Sequence, residues 1–437
     1  MERYFGTDGI RGLVGEELTA ELAFRCGNAL AREKTRPKIL LGRDTRRSGE
    51  MLSLAFAAGV TEAGGDVLDA QVLPTPAIAA LTKEVRADFG VVISASHNPP
   101  EYNGIKIFNR EGQKLSREEE SALEARFSST MRVSEREMGR FWVYEKAAKE
   151  YEKLITSNVQ DLSKLTVVLD CANGAASTIA PRVFEQLGAR VFAISCAKDG
   201  EINVDCGAVA PKRLAKEVVR LGADVGFAFD GDADRLIAVD ETGRIRDGDA
   251  LLYLLARDLL QKGELAPCAV VGTAHSNEGL AVALQELDVS FLRTDVGDKF
   301  VAERMRKDGI VLGGEPSGHV ILGTRSTTGD GILVALAISS ILVRTGKPFS
   351  ALAELKLFPQ VNVSVAVPEK VRILGNERLA EVVRAERERL AGGRILVRAS
   401  GTEPKVRVMA ESDDVEKSAA SVERIVAVLL DLEENGG

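Results

Sequence analysis

The sequence predicts an α/β protein of several domains, and three observations carry that prediction. Its 437 residues exceed what one hydrophobic core holds, because single cores stop growing at roughly 250–300 residues. Short β-branched runs alternate with amphipathic helical stretches, which is typical of α/β layers with parallel or mixed sheets. One pattern of strand, turn and helix recurs along the chain until its character changes near residue 357.

Composition argues against several classes of protein. Hydrophobic residues make up 45% and charged residues 28%, a balance typical of globular proteins. The net charge of -8 argues against a partner such as nucleic acid or an anionic membrane, which needs a basic surface. Five scattered cysteines without a C-x-x-C pair predict neither a disulfide framework nor a zinc site. With no signal-peptide run at the start and no stretch near the ~20 apolar residues of a membrane helix, we expect a cytoplasmic protein.

The repeated pattern begins with an apolar strand that ends in a small or polar turn before a helix. Such strands are predicted over residues 38–44, 166–172 and 269–273. A second strand follows each of them at about the spacing of one or two crossover units, over residues 89–93, 225–229 and 310–312. We therefore expect one α/β unit used three times, each presenting a different loop at a strand end, where α/β sheets place their sites. Chance similarity of short apolar strands is the alternative.

After residue 357 the pattern predicts a small α+β domain. Its elements are a strand over 361–367, a helix over 377–390, strands over 395–398 and 405–410, and a helix over 415–432. No low-complexity linker separates the units. We place the domains at residues 1–151, 152–247, 248–357 and 358–437.

The loop after the second strand of the second unit carries aspartates at alternate positions, Asp230, Asp232 and Asp234. Such carboxylates can converge hard oxygen ligands on one small divalent cation, and Mg²⁺ is the natural occupant. An EF-hand calcium loop is the rival, because Glu241 falls at the twelfth position from Asp230. It fails because Arg235 stands at the sixth position, where the sharp turn requires glycine, and because both flanks are predicted strands. A solvated acidic turn is the remaining alternative.

The corresponding loop of the first unit contains Ser96, which His97 follows at once. Adjacent residues of an extended segment point in different directions and no G-x-S-x-G elbow is present, so we expect His97 to orient the loop and not to accept the serine proton. A metal ion held by the aspartates could offset charge at Ser96. A capping serine in a turn is the alternative. Lys106 is by default a surface lysine, but in a closed, cation-rich cleft its pKa is expected to fall toward neutrality, as for a general acid or base.

Two further segments offer groups that bind sugars and phosphates. Glu315, Ser317 and His319 alternate between glycines and can hold vicinal sugar hydroxyls with directed hydrogen bonds. A turn in the last domain concentrates guanidinium groups, hydroxyls and backbone N–H groups, which can converge on a phosphate dianion. The groups of this turn are Arg398, Ser400, Gly401, Thr402 and Arg407. Paired strand charges are the alternative for the turn.

Taken together and in this order, these motifs resemble the α-D-phosphohexomutase family over essentially the whole chain. Residues 4–12 are similar to the opening of the branch that acts on glucosamine phosphates. The resemblance implies four domains around a central cleft, namely three similar α/β mixed-sheet units and a smaller C-terminal α+β domain that closes on the substrate. It also implies an enzyme that interconverts glucosamine 6-phosphate and glucosamine 1-phosphate.

The resemblance further implies a role for each motif. Ser96 carries the transferable phosphate, the three aspartates bind Mg²⁺ with the seryl phosphate, and Glu315 and Ser317 hold sugar hydroxyls. The turn around Arg398 and Arg407 grips the non-reacting phosphate. A hexosamine or glucose 1,6-bisphosphate serves as intermediate or activator, and a homodimer is one expected assembly. Charge neutralisation or proton transfer is expected of Arg11, Lys106, Arg235 and His319, and Lys299 is a further candidate for phosphate or substrate contact.

Three departures from the branch pattern bear on the sugar. Ala233 stands where the branch usually has glycine, Pro316 replaces the usual glutamine, and residues 99–104 are closer to phosphomannomutase/phosphoglucomutase relatives. A mannose- or glucose-phosphate mutase is therefore the main alternative. A phosphatase that loses its phosphoserine to water is another, and so is a non-catalytic sugar-phosphate sensor, although Ser96 together with the three aspartates argues against the sensor.

Overall fold

The computed structural model describes residues 4–6, 8–390, 392–399 and 404–434. They fall into two compact units, a larger one drawn from residues 1–275 and 288–354 and a smaller one drawn from residues 276–287 and 355–437. In the part of the chain so described, no helix combines the length and the apolarity needed to cross a membrane.

The first sheet of the larger unit has six strands in the order β1-β5-β4-β2-β3-β6. Strand β2 runs parallel to β3 and β4, whereas β5 is antiparallel to β4 and β1. The strands are β1 (Ile10–Leu13), β2 (Lys38–Arg43), β3 (Asp66–Val72), β4 (Phe89–Ile93), β5 (Tyr102–Phe108) and β6 (Phe141–Val143). The helices are α1 (Ala20–Ala31), α2 (Gly49–Glu62), α3 (Thr75–Glu84), α4 (Arg117–Glu124) and α5 (Ala147–Thr156).

The second sheet has five strands in the order β11-β10-β9-β7-β8. Its strands are β7 (Thr166–Asp170), β8 (Arg190–Ile194), β9 (Val225–Phe229), β10 (Leu236–Asp240) and β11 (Ile245–Arg246). The accompanying helices are α6 (Ala176–Gln186), α7 (Lys212–Leu221) and α8 (Gly248–Gln261).

The third sheet has four strands in the order β13-β12-β14-β15. Its strands are β12 (Ala269–Thr273), β13 (Ser290–Thr294), β14 (Leu312–Gly314) and β15 (Val320–Leu322). The helices of this stretch are α9 (Glu278–Gln285), which belongs to the smaller unit, and α10 (Asp298–Asp308), α11 (Gly331–Thr345) and α12 (Phe349–Leu352).

The three sheets share one four-strand core. It reads β5-β4-β2-β3 in the first, β10-β9-β7-β8 in the second and β15-β14-β12-β13 in the third. In each core two parallel pairings are followed by an antiparallel hairpin. This topology confirms the predicted α/β fold and the predicted threefold use of one unit. The four domain limits stay predictions.

One predicted strand is displaced along the chain. The expected strand over residues 310–312 lies at Leu312–Gly314 instead. Helix α10 ends in a left-handed Gly309 (φ 68°), and the Ile310 amide still donates to the carbonyl oxygen of Met305 at 2.9 Å. The residues expected to start the strand are therefore used to end the helix.

Close helix packing covers the first sheet. Helices α1 and α2 approach so nearly that a Cβ at Gly59 would stand 2.0 Å from the carbonyl oxygen of Phe24, and one at Gly27 would stand 2.2 Å from that of Phe56. Only glycine permits that approach. The central strands β4 and β9 are buried along their whole length, as expected of strands covered on both faces. The ends of β4 and β9 are therefore held by strands that are packed on both faces.

The smaller unit has a three-stranded antiparallel sheet in the order β16-β18-β17. Its elements, besides α9, are β16 (Gln360–Ala366), α13 (Lys370–Leu374), α14 (Glu377–Arg389), β17 (Arg394–Ala399), β18 (Lys405–Glu411) and α15 (Val415–Glu434). Helix α9 is joined to this unit because the Glu278 amide donates to Glu411 Oε1 at 3.0 Å. The predicted small α+β domain is confirmed to within two residues at each element end.

Candidate active site

Equivalent loops lie at the carboxyl ends of β4, β9 and β14, where each strand turns back into its hairpin partner. We name them the Ser96 loop (residues 94–101), the Asp loop (residues 230–235) and the Glu315 loop (residues 315–319). A hydrogen bond from the Leu236 amide to the carbonyl oxygen of Gly318, 3.0 Å long, ties the Glu315 loop to the end of the Asp loop. The repeated fold thus brings three unlike loops to comparable positions.

Ser96 points its side chain at the Asp loop. Its Oγ donates to Asp230 Oδ2 at 2.6 Å and lies 3.5 Å from Asp234 Oδ1. The residue is buried, and its φ of 52° lies in the left-handed region that disfavours side chains. A strained, buried hydroxyl held against carboxylates is typical of a functional site.

His97 lies beside this hydroxyl without a strong contact. Its Nδ1 is 3.4 Å from Ser96 Oγ. Burial, followed by repulsion from Arg235 and Arg11, lowers the pKa of His97 to about 4. The ring is therefore neutral and weakly basic near neutral pH, which agrees with the expectation that it does not act as the serine base. Its orienting role stays a prediction.

The three aspartates of the Asp loop converge as predicted. One oxygen from each of Asp230, Asp232 and Asp234 lies within 4.8 Å of the others, and all three side chains are buried. Burial, with repulsion from the other two carboxylates, raises the pKa of Asp230 well above its usual value. Asp232 Oδ1 is buried and lacks a hydrogen-bond partner. An orphaned carboxylate oxygen within a crowded acidic cluster fits a small divalent cation.

Lys106 lies against this cluster, and its predicted pKa is wrong. Its ammonium group, 1% exposed, lies 2.8 Å from Asp232 Oδ2, 3.0 Å from Asp234 Oδ2 and 3.3 Å from Asp8 Oδ2. Burial acts to lower the pKa of Lys106, but attraction to these three carboxylates outweighs it and holds the pKa well above its usual value. The residue is a firmly charged lysine, because the carboxylates stabilise its ammonium form.

Two arginines expected in the site have unpaired groups there. Arg11 donates from Nη1 to Asn98 Oδ1 at 2.9 Å and forms an ion pair with Asp8. Arg235 Nε lies 4.0 Å from Asp234 Oδ1, which is an ion-pair separation but too long for a hydrogen bond. The Nε–H groups of both arginines are buried without a hydrogen-bond partner, which suits a site that receives an anion.

The Glu315 loop presents groups of mixed character. Glu315 Oε1 accepts from the Gly297 amide at 3.1 Å, and burial raises the pKa of Glu315. Ser317 Oγ is buried without a partner. His319 Nε2 accepts from the Gly329 amide at 2.9 Å, and its Nδ1 lies 3.8 Å from Asp234 Oδ1. His319 is therefore brought to the aspartate cluster.

Lys299 has an ion-pair partner of its own. Its Nζ lies 3.0 Å from Glu120 Oε1, and the residue is buried. The neighbouring Asp298 bonds instead to Lys114, which also pairs with Asp8. Sequence reasoning missed Asp8, Lys114 and Asp298. Asp8 stands in the opening segment, residues 4–12, but nothing in the sequence marks the pairing of Lys114, because it joins residues far apart in the chain.

Arg398 and Arg407 of the smaller unit stand directly opposite each other on β17 and β18. Burial and repulsion from Arg407 lower the pKa of Arg398. Like charges opposed across a strand pair are unfavourable unless an anion joins them. Ser400, Gly401 and Thr402 lie outside the described residues.

Four family models match the chain in order. They are the phosphoglucomutase/phosphomannomutase alpha/beta/alpha domain I at residues 2–133, domain II at 144–243, domain III at 247–358 and the C-terminal domain at 361–428. A phosphoglucosamine mutase of Anoxybacillus flavithermus is 46% identical over 441 residues, which cover 98% of this chain and 99% of that protein.

Solved structures share the fold over the same length. A phosphoglucomutase/phosphomannomutase family protein from Burkholderia thailandensis gives a TM-score of 0.84 at 25% identity, and the match covers 100% of this chain and 98% of that one. The N-acetylphosphoglucosamine mutase of Aspergillus fumigatus, in complex with GlcNAc-6P and magnesium, gives a TM-score of 0.66 at 18% identity, covering 98% and 96%. The second match is a likeness of fold.

Proposed function

The chain belongs to the phosphoglucomutase/phosphomannomutase family, and from that membership we propose that it interconverts glucosamine 6-phosphate and glucosamine 1-phosphate. Such a mutase is an isomerase, because the phosphoryl group leaves one hydroxyl of the sugar and returns to another. The choice of sugar rests on the relative that is 46% identical over nearly the whole length of both chains.

One observation carries the proposed mechanism, namely that Ser96 Oγ of the first repeat lies 2.6 Å from a carboxylate of the second. In the proposed cycle, phosphorylated Ser96 gives its phosphoryl group to the free hydroxyl of a hexosamine monophosphate. The product is a 1,6-bisphosphate. After this intermediate turns around, Ser96 takes back the other phosphoryl group and releases the isomerised sugar.

The residues that would hold a metal ion are Asp230, Asp232 and Asp234, together with the phosphorylated side chain of Ser96. The buried, unpartnered Asp232 Oδ1 supports that assignment. When bound, Mg²⁺ would supply positive charge that offsets the charge on the phosphoryl oxygens. The raised pKa of Asp230 supports the same reading, because crowded carboxylates need a cation to stay ionised together.

Fixed cations complete the charge balance at Ser96. We assign Lys106 to charge neutralisation, because its pKa is too high for a base near neutral pH. Arg11 and Arg235 each offer a buried Nε–H that suits an oxygen of the transferred phosphoryl group. His319 Nδ1 lies 3.8 Å from Asp234 Oδ1, and we assign this imidazole to proton transfer.

Recognition of the sugar and its second phosphate falls to other segments. Glu315 and Ser317 would hold sugar hydroxyls, since Glu315 offers a carboxylate that accepts hydrogen bonds and the unpartnered Ser317 Oγ can accept or donate. Arg398 and Arg407, with Ser400, Gly401 and Thr402, would bind the phosphate that does not react. Because the substrate must bind in two orientations, these contacts have to accept either end of the sugar phosphate.

The test compares glucosamine, mannose and glucose monophosphates as substrates, each with a trace of the matching 1,6-bisphosphate and with Mg²⁺. We expect the highest kcat/KM for glucosamine 6-phosphate and one labile phosphate on Ser96 by mass spectrometry. A higher kcat/KM for mannose or glucose phosphate would assign the protein to the phosphomannomutase/phosphoglucomutase branch instead. Inorganic phosphate formed in step with substrate loss would mark a phosphatase instead.

The cellular setting belongs to the same proposal. We propose a cytoplasmic enzyme that works as a homodimer and is kept phosphorylated by a hexosamine or glucose 1,6-bisphosphate. Light scattering of the purified protein tests the assembly, and fractionation of cells tests the location.

A further inference from the structure

Ser96 needs support from the rest of the protein, because its backbone is strained. A side chain at φ 52° costs free energy that glycine would avoid, and the residue keeps that conformation only where its surroundings enforce it. The carbonyl oxygens of residues 96, 98, 99 and 102 all receive hydrogen bonds from one side chain. That side chain is not among the groups assigned above.

The side chain is Arg46, which is 3% exposed. Its Nη2 donates to the carbonyl oxygens of Ser96 at 3.0 Å and Asn98 at 2.8 Å. Its Nη1 donates to those of Pro99 at 2.5 Å and Tyr102 at 2.9 Å. The Nε–H reaches Asp44, so that all five donors of the guanidinium are used. A lysine, with three donors on one nitrogen, cannot reproduce this pattern.

Asp44 helps to fix the backbone N–H of Ser96 as well. Its Oδ2 accepts from Arg46 Nε at 3.0 Å and from Ser94 Oγ at 2.6 Å. Ser94 Oγ in turn accepts from the Ser96 amide at 2.9 Å. The N–H and the C=O of Ser96 are therefore both fixed by one connected set of buried side chains.

A second donor comes from the neighbouring repeat. Asn203 Nδ2 donates to the carbonyl oxygens of Ser96 at 2.8 Å and Asn98 at 3.1 Å, the same two that Arg46 Nη2 reaches. The backbone N–H of Asn203 donates to the carbonyl oxygen of Ala172 at 3.0 Å, which fixes this residue in place. Gly231 of the Asp loop packs on this junction, since a Cβ there would stand 2.6 Å from the Ser96 carbonyl oxygen and 3.0 Å from Asn203 Nδ2.

We infer that Arg46 and Asn203 are positioning residues for phosphoryl transfer, which together fix Ser96 Oγ at the aspartate cluster. The inference rests on the proposed function. Neither residue contacts Ser96 Oγ, so each acts through the loop backbone. Arg46 sets the loop conformation within the first repeat, and Asn203 sets its register against the second. Displacement of a reacting atom by about 1 Å can cost about 100-fold in rate, and this is the scale of effect that we expect.

The experiment uses full-length Arg46→Lys and Asn203→Ala, with Arg47→Lys as the matched control. Arg47 is the next residue in the same turn, but it is exposed and bonds to the carbonyl oxygen of Asp199 and to Glu201. We expect kcat to fall about 100-fold in Arg46→Lys and about tenfold in Asn203→Ala. KM for the sugar phosphate and the Mg²⁺ dissociation constant of the unphosphorylated protein should stay within about twofold, because the proposed sugar-binding groups and the three aspartates lie outside the Ser96 loop. The control should match wild type.

A second readout separates this inference from the proposed function. The rate at which glucose 1,6-bisphosphate phosphorylates Ser96, followed by intact-protein mass, should fall in parallel with kcat in both variants. Folded variants that phosphorylate Ser96 at the wild-type rate would overturn the positioning role. Equal losses in kcat, substrate binding and Mg²⁺ binding would also overturn it, since they indicate general damage. Wild-type protein that takes up phosphate without isomerising sugar would refute the proposed function alone.

Discussion

The Ser96 loop and the Asp loop occupy the same position in two copies of one fold, yet they satisfy their polar atoms in different ways. In the Ser96 loop, the amide and the carbonyl oxygen of Ser96 both have protein partners. In the Asp loop, Asp232 Oδ1 is buried without one, and the pKa of Asp230 is raised by burial and by its acidic neighbours. The protein itself supplies the hydrogen-bond partners of Ser96, whereas a bound cation would suit the unpartnered carboxylate oxygen of the Asp loop.

The strongest test of the first loop is Ser96→Ala, because only the hydroxyl is removed from a loop that other residues hold in place. We expect mutase activity to fall to background while the thermal midpoint stays close to wild type. The labile phosphate should be absent from the intact-protein mass. Ser128→Ala, at an exposed serine, is the control and should keep full activity. Measurable turnover by Ser96→Ala would show that another group carries the phosphate.

The corresponding test of the second loop is Asp232→Asn. It removes one negative charge from the three-carboxylate cluster, so Mg²⁺ affinity should fall on the order of 10–100-fold and activity should return in part at high Mg²⁺. Isothermal titration gives the affinity, and a Mg²⁺ dependence of kcat gives the rescue. Asp413→Asn makes the same change at an exposed site as the control. An unaltered titration would remove Asp232 from the metal site.

A smaller effect is expected from a change at Asp330, which lies next to the Asp loop. The amide of Gly331, at the start of α11, donates to the carbonyl oxygen of Ala233 at 3.0 Å. The preceding Asp330 is buried, caps α11 and accepts from Tyr151 Oη at 3.0 Å. Burial raises the pKa of Asp330 from 3.8 to about 6. The folded protein therefore holds this proton more tightly than the unfolded chain, and stability present below pH 4 is lost as the pH rises through about 6.

Asp330→Asn removes that titration and can still cap the helix. When the pH is raised from 4 to 7, the free energy of unfolding of the variant should rise relative to that of wild type by on the order of 2 kcal/mol, which is most of the free energy equivalent to the pKa shift. Urea unfolding of both proteins at these two pH values gives the comparison. A difference between the proteins that does not change with pH would mean that Asp330 does not titrate in this range.

The smallest effect is expected for Ala233→Gly in the Asp loop. Ala233 has a φ of 57°, a conformation that costs a residue with a side chain about 1–2 kcal/mol. Glycine avoids that cost, but it loses more backbone entropy on folding, which destabilises the protein by roughly 0.5–1 kcal/mol. The variant should therefore be more stable than wild type by at most about 1.5 kcal/mol. Ala228→Gly, in the preceding strand, is the control and should be destabilised. A destabilised Ala233→Gly would show that the methyl group packs favourably enough to offset the strain.

The positions of the loops could be predicted from the sequence because the residues that indicate each loop are close together in the chain. Alternating carboxylates after an apolar strand indicate a metal loop by themselves, and the spacing of the strands indicates the repeat. The structure brings Ser96 to Asp230 as the resemblance implied. The misplaced strand near residue 310 is a boundary error, since Gly309 ends a helix where the apolar run already suggests a strand.

Long-range pairings could not be predicted in the same way. Two of the three carboxylates that raise the pKa of Lys106 lie 126 and 128 residues away, so a sequence window around Lys106 does not contain them. Arg46 and Asn203 reach the Ser96 loop from 50 and 107 residues away. The membership of α9 in the smaller unit depends on Glu411, far along the chain. Each of these facts is a property of the folded topology.

The hairpin that carries each loop has a consequence for how such proteins diversify. Antiparallel partners hold the two ends of a hairpin loop at a fixed separation, so a loop can change its residues while the sheet beneath it stays unaltered. Three copies of that arrangement make three segments with variable positions. In the Glu315 loop, mutation and selection can alter Glu315 and Ser317, the positions proposed to hold the sugar, while Gly318 keeps its hydrogen bond from the Leu236 amide next to the Asp loop. New substrate preferences can then arise through few substitutions, inherited by descendants whose phosphoryl chemistry is already in place.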